Sequence, residues 1–360
     1  MHAGATGVAA PPDLACRAGR EYRAVVVFTA RLTVLGSLNM DISVTVPDLP
    51  VPGATVLGGA AVFAPGGKGA NQAVAAARLA GDAGLSVAMI GCAGDDEFGR
   101  TLRAALRAEG VDDSGVRTVP GVPTGIAMIT VDRSGENMIT VAAGANHEVG
   151  ADDIAHLEPS APNRLTTGTT TPQTASPPRD VLVISAEVPI AVIGAALAAT
   201  VGRGLRVLNL APAPSRAQAA ELIATGPDWL VVNESEAAAI LGRGVAGLDQ
   251  AAAAAADLVA AGARNAVVTA GAAGAAYCGP DGVAKVPGFK VTAIDTVGAG
   301  DTFVGALAVA LAAGVPPADA VTAAAAAGAA AAARPGTQPG MPRPADVGAA
   351  TGHRWPVTSG

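Results

Sequence analysis

Between residues 181 and 269, short apolar runs alternate with longer stretches of helical pattern. The apolar runs are 181–185, 205–210, 229–232 and 265–269; between them lie 190–201, 217–224, 234–241 and 248–261. A strand followed by a helix-length connection returns alongside its predecessor in the same direction, whereas a hairpin needs only a tight turn. The alternation therefore predicts an α/β fold, a three-layer sandwich with a mainly parallel central sheet and helices on both faces. Aromatic residues make up only 2% of the 360, so the core has to be built from Ala, Val, Leu and Ile. Polar residues sit at the ends of these strands: Glu187, Asn209, Asn233 and Thr269. In a parallel sheet such ends share one edge, and ligands of open α/β sheets bind there.

The N-terminal half extends the frame. Residues 31–38 read as a buried first strand, followed by Asn39, Met40 and Asp41. Residues 86–91 read as a second buried strand and 95–110 as an amphipathic helix. Residues 42–46 alternate apolar and polar, and 55–63 are expected to form a further strand. Residues 124–131 and 137–141 pair as a hairpin across 132–136. Together these predict a small β-sheet lid, with strands within 42–63 and 124–141, beside a main domain of 31–345. An edge hairpin is expected at 275–278 and 283–287. Residues 1–30 lack the ordered regions of a secretory signal and read as a disordered extension. Residues 163–179, rich in Thr, Pro and Ser, read as a mobile surface insertion, and 346–360 as a C-terminal tail.

Two glycine-bearing segments carry the chemistry. In the first, Asp295 and Asp301 flank Gly298-Ala299-Gly300, and an apolar run of helical character follows from Phe303. A loop feeding a helix N-terminus presents unpaired N–H groups and the positive end of the helix dipole, which suits an anion. Asp301 is placed to take a proton from a hydroxyl held before it. The same residues also suit a plain helix cap preceded by a glycine turn. The second segment, Gly66-Gly67-Lys68-Gly69-Ala70-Asn71-Gln72, leads into a helix over 73–80. It is not a P-loop, because Gly69 follows Lys68 where Ser or Thr would be needed. Three glycines around one lysine exceed what a turn requires; Lys68 and Asn71 add donors for a small polar ligand.

Composition removes other classes. A net charge of −7 argues against non-specific nucleic-acid binding, which needs a basic face. No apolar run has the length and purity of a membrane span. Cys16, Cys92 and Cys278 have no metal-site spacing and leave one unpaired in any disulfide scheme, which fits a reducing, cytoplasmic compartment.

Six segments in order resemble the ribokinase branch of the phosphofructokinase-B-type carbohydrate kinases: Gly36-Ser37-Leu38-Asn39-Met40-Asp41, Gly66 to Ala73, Ala143-Gly144-Ala145-Asn146, Asn209-Leu210-Ala211-Pro212-Ala213, Asn233-Glu234-Ser235-Glu236, and Asp295 to Asp301. The match runs from about residue 31 to about 344. The resemblance implies a ribokinase-like fold and ATP-dependent phosphorylation of D-ribose at its 5-hydroxyl. It implies Asp301 as catalytic base, with Gly298, Ala299 and Gly300 as the anion hole. Sugar binding would fall to Asn39, Met40, Asp41, Gly67, Lys68, Gly69, Ala70, Asn71 and Glu187. The nucleotide would meet Asn233, Thr269, Ala270, Gly271, Ala272, Ala273, Gly274 and Ala325, as well as Gly300 and Asp301. Glu236 would help organise Mg²⁺ through water. A K⁺ site would comprise Asp295, Val297, Ala331, Arg334, Gly336 and Gly340, chiefly through backbone carbonyls. A homodimer joined through the lid strands is implied as well. Two positions depart from the family pattern: Gly340 offers the cation no side-chain oxygen, and Ala325 stands where a larger polar residue is common beside adenine. Alternatives are the same chemistry on 2-deoxyribose, another sugar or a nucleoside, and a sugar-binding regulatory protein without catalysis. A nicotinamide dehydrogenase is disfavoured, because Gly36 is followed by Ser37 and Leu38 rather than by a G-x-G-x-x-G run.

Overall fold

The structure, a computed structural model, describes residues 30–81, 83–155, 157 and 179–357. Of the extension expected at 1–30 only Ala30 is described, and it opens the first strand; the rest, Cys16 within it, and all of the 163–179 insertion except Arg179 lie outside the described residues. The chain opens with β1 (Ala30–Leu35), β2 (Asn39–Thr45), β3 (Val62–Gly66), α1 (Lys68–Ala80), β4 (Leu85–Gly94), α2 (Glu97–Ala108), β5 (Asp112–Val119), β6 (Gly125–Val131) and β7 (Asn137–Ala142). A 3-10 turn at Gly144–Glu148 and α3 (Ala151–Ile154) precede β8 (Val181–Ser185), α4 (Ile190–Ala199), β9 (Leu205–Asn209), α5 (Arg216–Ala224), β10 (Trp229–Asn233), α6 (Glu234–Leu241) and α7 (Gly247–Ala260). Then come β11 (Ala266–Thr269), β12 (Gly274–Gly279), β13 (Gly282–Pro287), α8 (Ala299–Ala312), α9 (Pro317–Ala332), α10 (Thr337–Gly340) and α11 (Pro344–Thr351).

Nine strands form one sheet in the order β13-β12-β11-β10-β9-β8-β1-β4-β5. From β5 to β11 neighbours are parallel, and β12 and β13 add an antiparallel edge. Each face has its own apolar layer. One holds Val74 and Leu79 of α1, Phe303 and Leu307 of α8, and the alanines of α9. The other holds Ile193 and Leu197 of α4, Leu222 of α5 and Leu258 of α7. Small residues let helices approach closely: a Cβ on Gly305 would lie 2.7 Å from the Gln72 carbonyl oxygen, so the backbones of α8 and α1 pack directly against each other. That crossing sets Asp301, one turn before Gly305, against the start of α1.

The expected lid is present as a separate four-stranded sheet in the order β3-β2-β6-β7. Its third contributor differs from expectation. Residues 55–61 are not strand; β3 is Val62–Gly66, because the antiparallel register with β2 pairs Asn39 with Gly66 and Ser43 with Val62. Helix α1 begins at Lys68 rather than at 73. Gly67, at φ 89°, turns the chain, and Asn71 N already closes a helical hydrogen bond to the Gly67 carbonyl at 2.9 Å. Strand β5 was not expected, since Asp112-Asp113-Ser114 has little strand character; it gains its place by pairing in parallel with β4. The segment expected as a tail from 346 is helical through Thr351, and Trp355 is buried, its Nε1 donating to the Leu79 carbonyl at 3.0 Å.

Candidate active site

Helix α8 opens with Gly298 as N-cap at φ 79°, a left-handed conformation that glycine adopts without strain. Gly300 and Asp301 follow in the first turn, and their N–H groups donate to no protein acceptor among the described residues. Asp301 does not cap its helix: no side chain does. Its carboxylate, 8% exposed, instead meets the start of α1. Asn71 Nδ2 donates to Oδ2 at 3.0 Å and Gln72 Nε2 to Oδ1 at 3.1 Å. Gln72 Nε2 also donates to Asn209 Oδ1 at 2.9 Å, and Asn209 Nδ2 to the Val231 carbonyl at 3.0 Å. Both oxygens of Asp301 are thus oriented by buried amides, and Gln72 is in turn held from the end of β9.

The lid brings a second set of polar groups to the same place. Asn39 and Asp41 are two apart on β2 and share a face, while Met40 between them is buried in the core. Asn39 Oδ1 accepts from Asn146 Nδ2 at 2.8 Å, and Asn146 also grips the Leu38 backbone through N–H and carbonyl. Gly66 makes room for Asp41: a Cβ there would sit 2.1 Å from Asp41 Oδ2. Glu187 accepts from Ser37 Oγ at 2.5 Å and from Lys68 N at 3.2 Å, so it is tied to both the β1–β2 turn and the start of α1. Gly67, Gly69 and Ala70 line the same turn; Ala70 N donates to the Ser37 carbonyl at 3.0 Å.

Carboxylates crowd this space. Burial, with repulsion from Glu187 and Asp301, pushes Asp41 up to about 7. The charge of Asp301 above all, with those of Glu187, Glu236 and Asp41, holds the Lys68 ammonium above its ordinary range. A half-buried cation facing several carboxylates, with free amides beside it, is arranged to receive a polyol and an anion together.

Towards β10 and β11 the surface is built differently. Asn233 caps α6, its Oδ1 accepting from Glu236 N while Glu236 Oε2 accepts from Asn233 N, both at 2.8 Å. Burial raises Glu236 above the usual carboxylate range. Thr269 ends β11, and Gly271–Ala273 form a 3-10 turn before Gly274. Ala325 is half-buried on α9 and contributes only a methyl group. Among the described residues no three His, Cys, Asp or Glu side chains cluster as a metal site. One carboxylate, completed by water and nucleotide phosphates, is nevertheless the ordinary donor set for Mg²⁺, and Glu236 fits that part.

At the residues expected for a K⁺ site, backbone carbonyls converge, a donor set that suits a monovalent cation. A Cβ on Gly340 would lie 3.2, 3.4 and 3.6 Å from the carbonyl oxygens of Arg334, Pro335 and Ala331. Asp295 ties the neighbouring loops together, Oδ1 accepting from Val297 N and Oδ2 from Gly336 N, each at 3.0 Å. The Arg334 side chain turns away to Asp346 at 2.8 Å, leaving its carbonyl as the usable oxygen.

A cavity of about 550 Å³ lies elsewhere, at the opposite strand ends among Arg31, Ser114, Asp180 and Arg203, so cavity size does not locate the chemistry. Ser37, Gln72, Asn146 and Gln338 enter the polar network without having been singled out as site residues, and Asn209 was marked only as a polar strand end. Ser37, Gln72, Asn146 and Asn209 stood inside the quoted motifs. Gln338 had only its position beside Gly336 and Gly340 to mark it.

Residues 29–344 match the pfkB family carbohydrate kinases. A ribokinase of Schizosaccharomyces pombe is 36% identical over 322 residues, 88% of this chain and 96% of that protein. One of Haemophilus influenzae is 37% identical, over 78% of this chain and 85% of that protein. A deoxyribokinase of Salmonella typhimurium is 32% identical over 77% and 84%. Among solved structures, Arabidopsis thaliana ribokinase complexed with ribose and ATP superposes with a TM-score of 0.74 at 26% identity, covering 89% of this chain and 98% of that one.

Proposed function

The chain belongs to the pfkB family of carbohydrate kinases, and we propose that within it the protein transfers the γ-phosphoryl group of ATP to the 5-hydroxyl of D-ribose. One observation carries the reading. Asp301 stands in the first turn of a helix with free amides, its carboxylate aimed by Asn71 and Gln72, opposite the polyol-binding groups of the lid.

Asn39, Asp41, Asn71 and Glu187, with the close backbone of Gly67, Lys68, Gly69 and Ala70, hold the sugar hydroxyls; Met40 supports them from the core. Asp301 takes the proton of the attacking hydroxyl as its oxygen bonds to the γ-phosphorus and the bond to the ADP oxygen breaks. In the anion-hole loop of Gly298, Ala299 and Gly300, the Gly300 N–H, with that of Asp301 and the Lys68 ammonium, faces the charge that spreads over the transferring group, while Ala299 N donates to the Thr296 carbonyl at 3.3 Å. Asn233, the turn Thr269 to Gly274, and Ala325 border the nucleotide. Mg²⁺, held through water by Glu236, would neutralise phosphate charge. K⁺, held by carbonyls around Ala331, Arg334, Gly336 and Gly340 beside Asp295 and Val297, would brace the anion-hole loop without touching substrate. A cytoplasmic location, where ATP is supplied, goes with this reading.

The lid supports a homodimer. By the strand registers, Val62, Ile129, Ile139 and Val141 lie on the same lid face as Asn39 and Asp41. Val62, Ile139 and Val141 are each about half exposed, so a second lid packed there buries apolar surface and walls the sugar site.

The test is ADP release with Mg-ATP and D-ribose in K⁺ and in Na⁺ buffers, with 2-deoxyribose and adenosine alongside. Ribose-dependent turnover that rises in K⁺ supports the sugar and the cation site. Faster turnover on 2-deoxyribose would transfer the reading to the alternative that the deoxyribokinase relative exemplifies, and ribose binding with no turnover would favour a regulatory role.

A further inference from the structure

The loop after α9 touches the catalytic cluster at three places. Gly336 N donates to Asp295 Oδ2 at 3.0 Å. Thr337 lies against the anion-hole loop, where a Cβ on Gly298 would come within 2.7 Å of Thr337 Cγ2. Gln338, 6% exposed, donates from Nε2 to Asn71 Oδ1 at 3.1 Å. Arg78 anchors this loop from α1: Nη1 donates to the carbonyls of Gln338 at 2.5 Å and Met341 at 2.8 Å, while Nε and Nη2 hold Glu109.

The third contact has a directional consequence. The two ends of an asparagine amide are nearly the same size and opposite in hydrogen-bonding character. Asn71 serves Asp301 only while its N–H faces the carboxylate; turned over, it would set a carbonyl oxygen against a charged oxygen. A donor on Oδ1 settles which way the amide stands, and Gln338 supplies that donor. On the other carboxylate oxygen Gln72 is oriented from its N–H end instead: Nε2 also donates to Asn209 Oδ1, and Asn209 is itself fixed by donating to the Val231 carbonyl. We propose that Gln338 is a positioning residue for Asp301: by donating to Asn71 it keeps the asparagine N–H, and not its carbonyl, turned towards the catalytic carboxylate. The proposal rests on the reading of Asp301 as general base. It extends the catalytic unit to α10, which does not lie next to Asp301 in the chain.

The experiment compares Gln338→Met, which keeps size and loses the donor, with Gln338→Glu, which keeps shape and offers an acceptor. Steady-state kinetics, ribose affinity by calorimetry and thermal melting are measured for both, and again with Asn71→Ala as background. With the donor gone, kcat falls about tenfold, as for one lost buried hydrogen bond, while ribose affinity falls by a smaller factor. The glutamate draws the Asn71 N–H to itself and turns the carbonyl on Asp301, so kcat falls further, by about a hundredfold. In the Asn71→Ala background neither change at Gln338 lowers kcat again. Unchanged kcat in both variants would overturn the proposal. So would equal losses with and without Asn71, or parallel losses of kcat and ribose affinity, which mark general damage to the site. Asp301→Asn, run in parallel, separates the two failures: if that variant turns over normally, the assignment of the base falls and the role of Gln338 with it. If it is inactive while the Gln338 variants are normal, only the role of Gln338 falls.

Discussion

The two walls of the cleft are stabilised by opposite means. On the α8 side, Asp301, Asn71, Gln72 and Gln338 are each 8% exposed or less, and every one donates to or accepts from another. On the lid side, Val62, Ile139 and Val141 are each about half exposed, and all six residues of β7 are exposed. Such a buried network, in which Gln72 Oε1 is left without a partner among the described residues, has few low-energy arrangements, because turning an amide over sets its carbonyl oxygen against the Asp301 carboxylate. An open apolar sheet has no such restriction and gains most by being covered. On the proposed reading the chemistry sits on the wall that holds its own geometry, and sugar capture on the wall whose exposed apolar face a second lid would cover.

Changes on the two walls should fail differently. Asp301→Asn removes the base but preserves the hydrogen-bonding shape, so kcat should fall roughly 10²–10⁴-fold with ribose binding retained; near-normal turnover in a rapid-quench assay would break the contrast at its strongest point. Ile139→Lys strikes the other wall. Sedimentation should show a monomer, and ribose KM should rise on the order of tenfold while kcat changes much less, since interface anchors of this kind carry most of the association energy. A dimer that survives the lysine would mean that subunits meet elsewhere.

Asp41 joins the two walls, and its titration gives a graded test. With its group near 7 in the fold and an ordinary value of 3.8 when unfolded, the protonated form is favoured by folding. Its stabilising contribution is complete below the unfolded value and is lost as pH rises towards about 7. Sugar hydroxyls prefer the ionised acceptor, so ribose affinity should move the other way, increasing about fourfold between pH 6.5 and 8. Calorimetry on Asp41→Asn should show that slope abolished; a slope that persists would assign the titration to another group. The smallest effect is expected at Gly340→Ala. A methyl set among three carbonyls should lower the K⁺ stimulation of kcat by about half and leave the rate in Na⁺ alone. Equal rates in both buffers for the parent protein would remove the cation from the account.

The sheet and its edge were readable along the chain. Strand β8 and helix α6 fall where hydrophobic periodicity sets them, because a strand buried on both faces and a helix after an Asn cap are local patterns. Strand β5 was missed because pairing with β4 outweighs its poor local propensity, and β3 was misplaced because its register belongs to β2. The glycine-lysine and Gly-Ala-Gly-Asp segments were legible as site material from residue type alone. Their mutual arrangement was not: Asn71 and Asp301 are 230 positions apart, and Gln338 is 267 from Asn71.

From the residues alone came the mainly parallel layered fold, the edge on which ligands gather, and the aspartate at a helix start with glycines before it. These depend on period, on turn chemistry and on backbone amides, all of which act over a few residues. Only the folded chain decided which way each amide around Asp301 faces, that Asn39 and Asp41 share a lid face with exposed apolar side chains, and that α10 joins the network at all. Those are matters of hydrogen-bond direction and side-chain proximity between distant segments, and a chain has no such directions until packing brings the segments together.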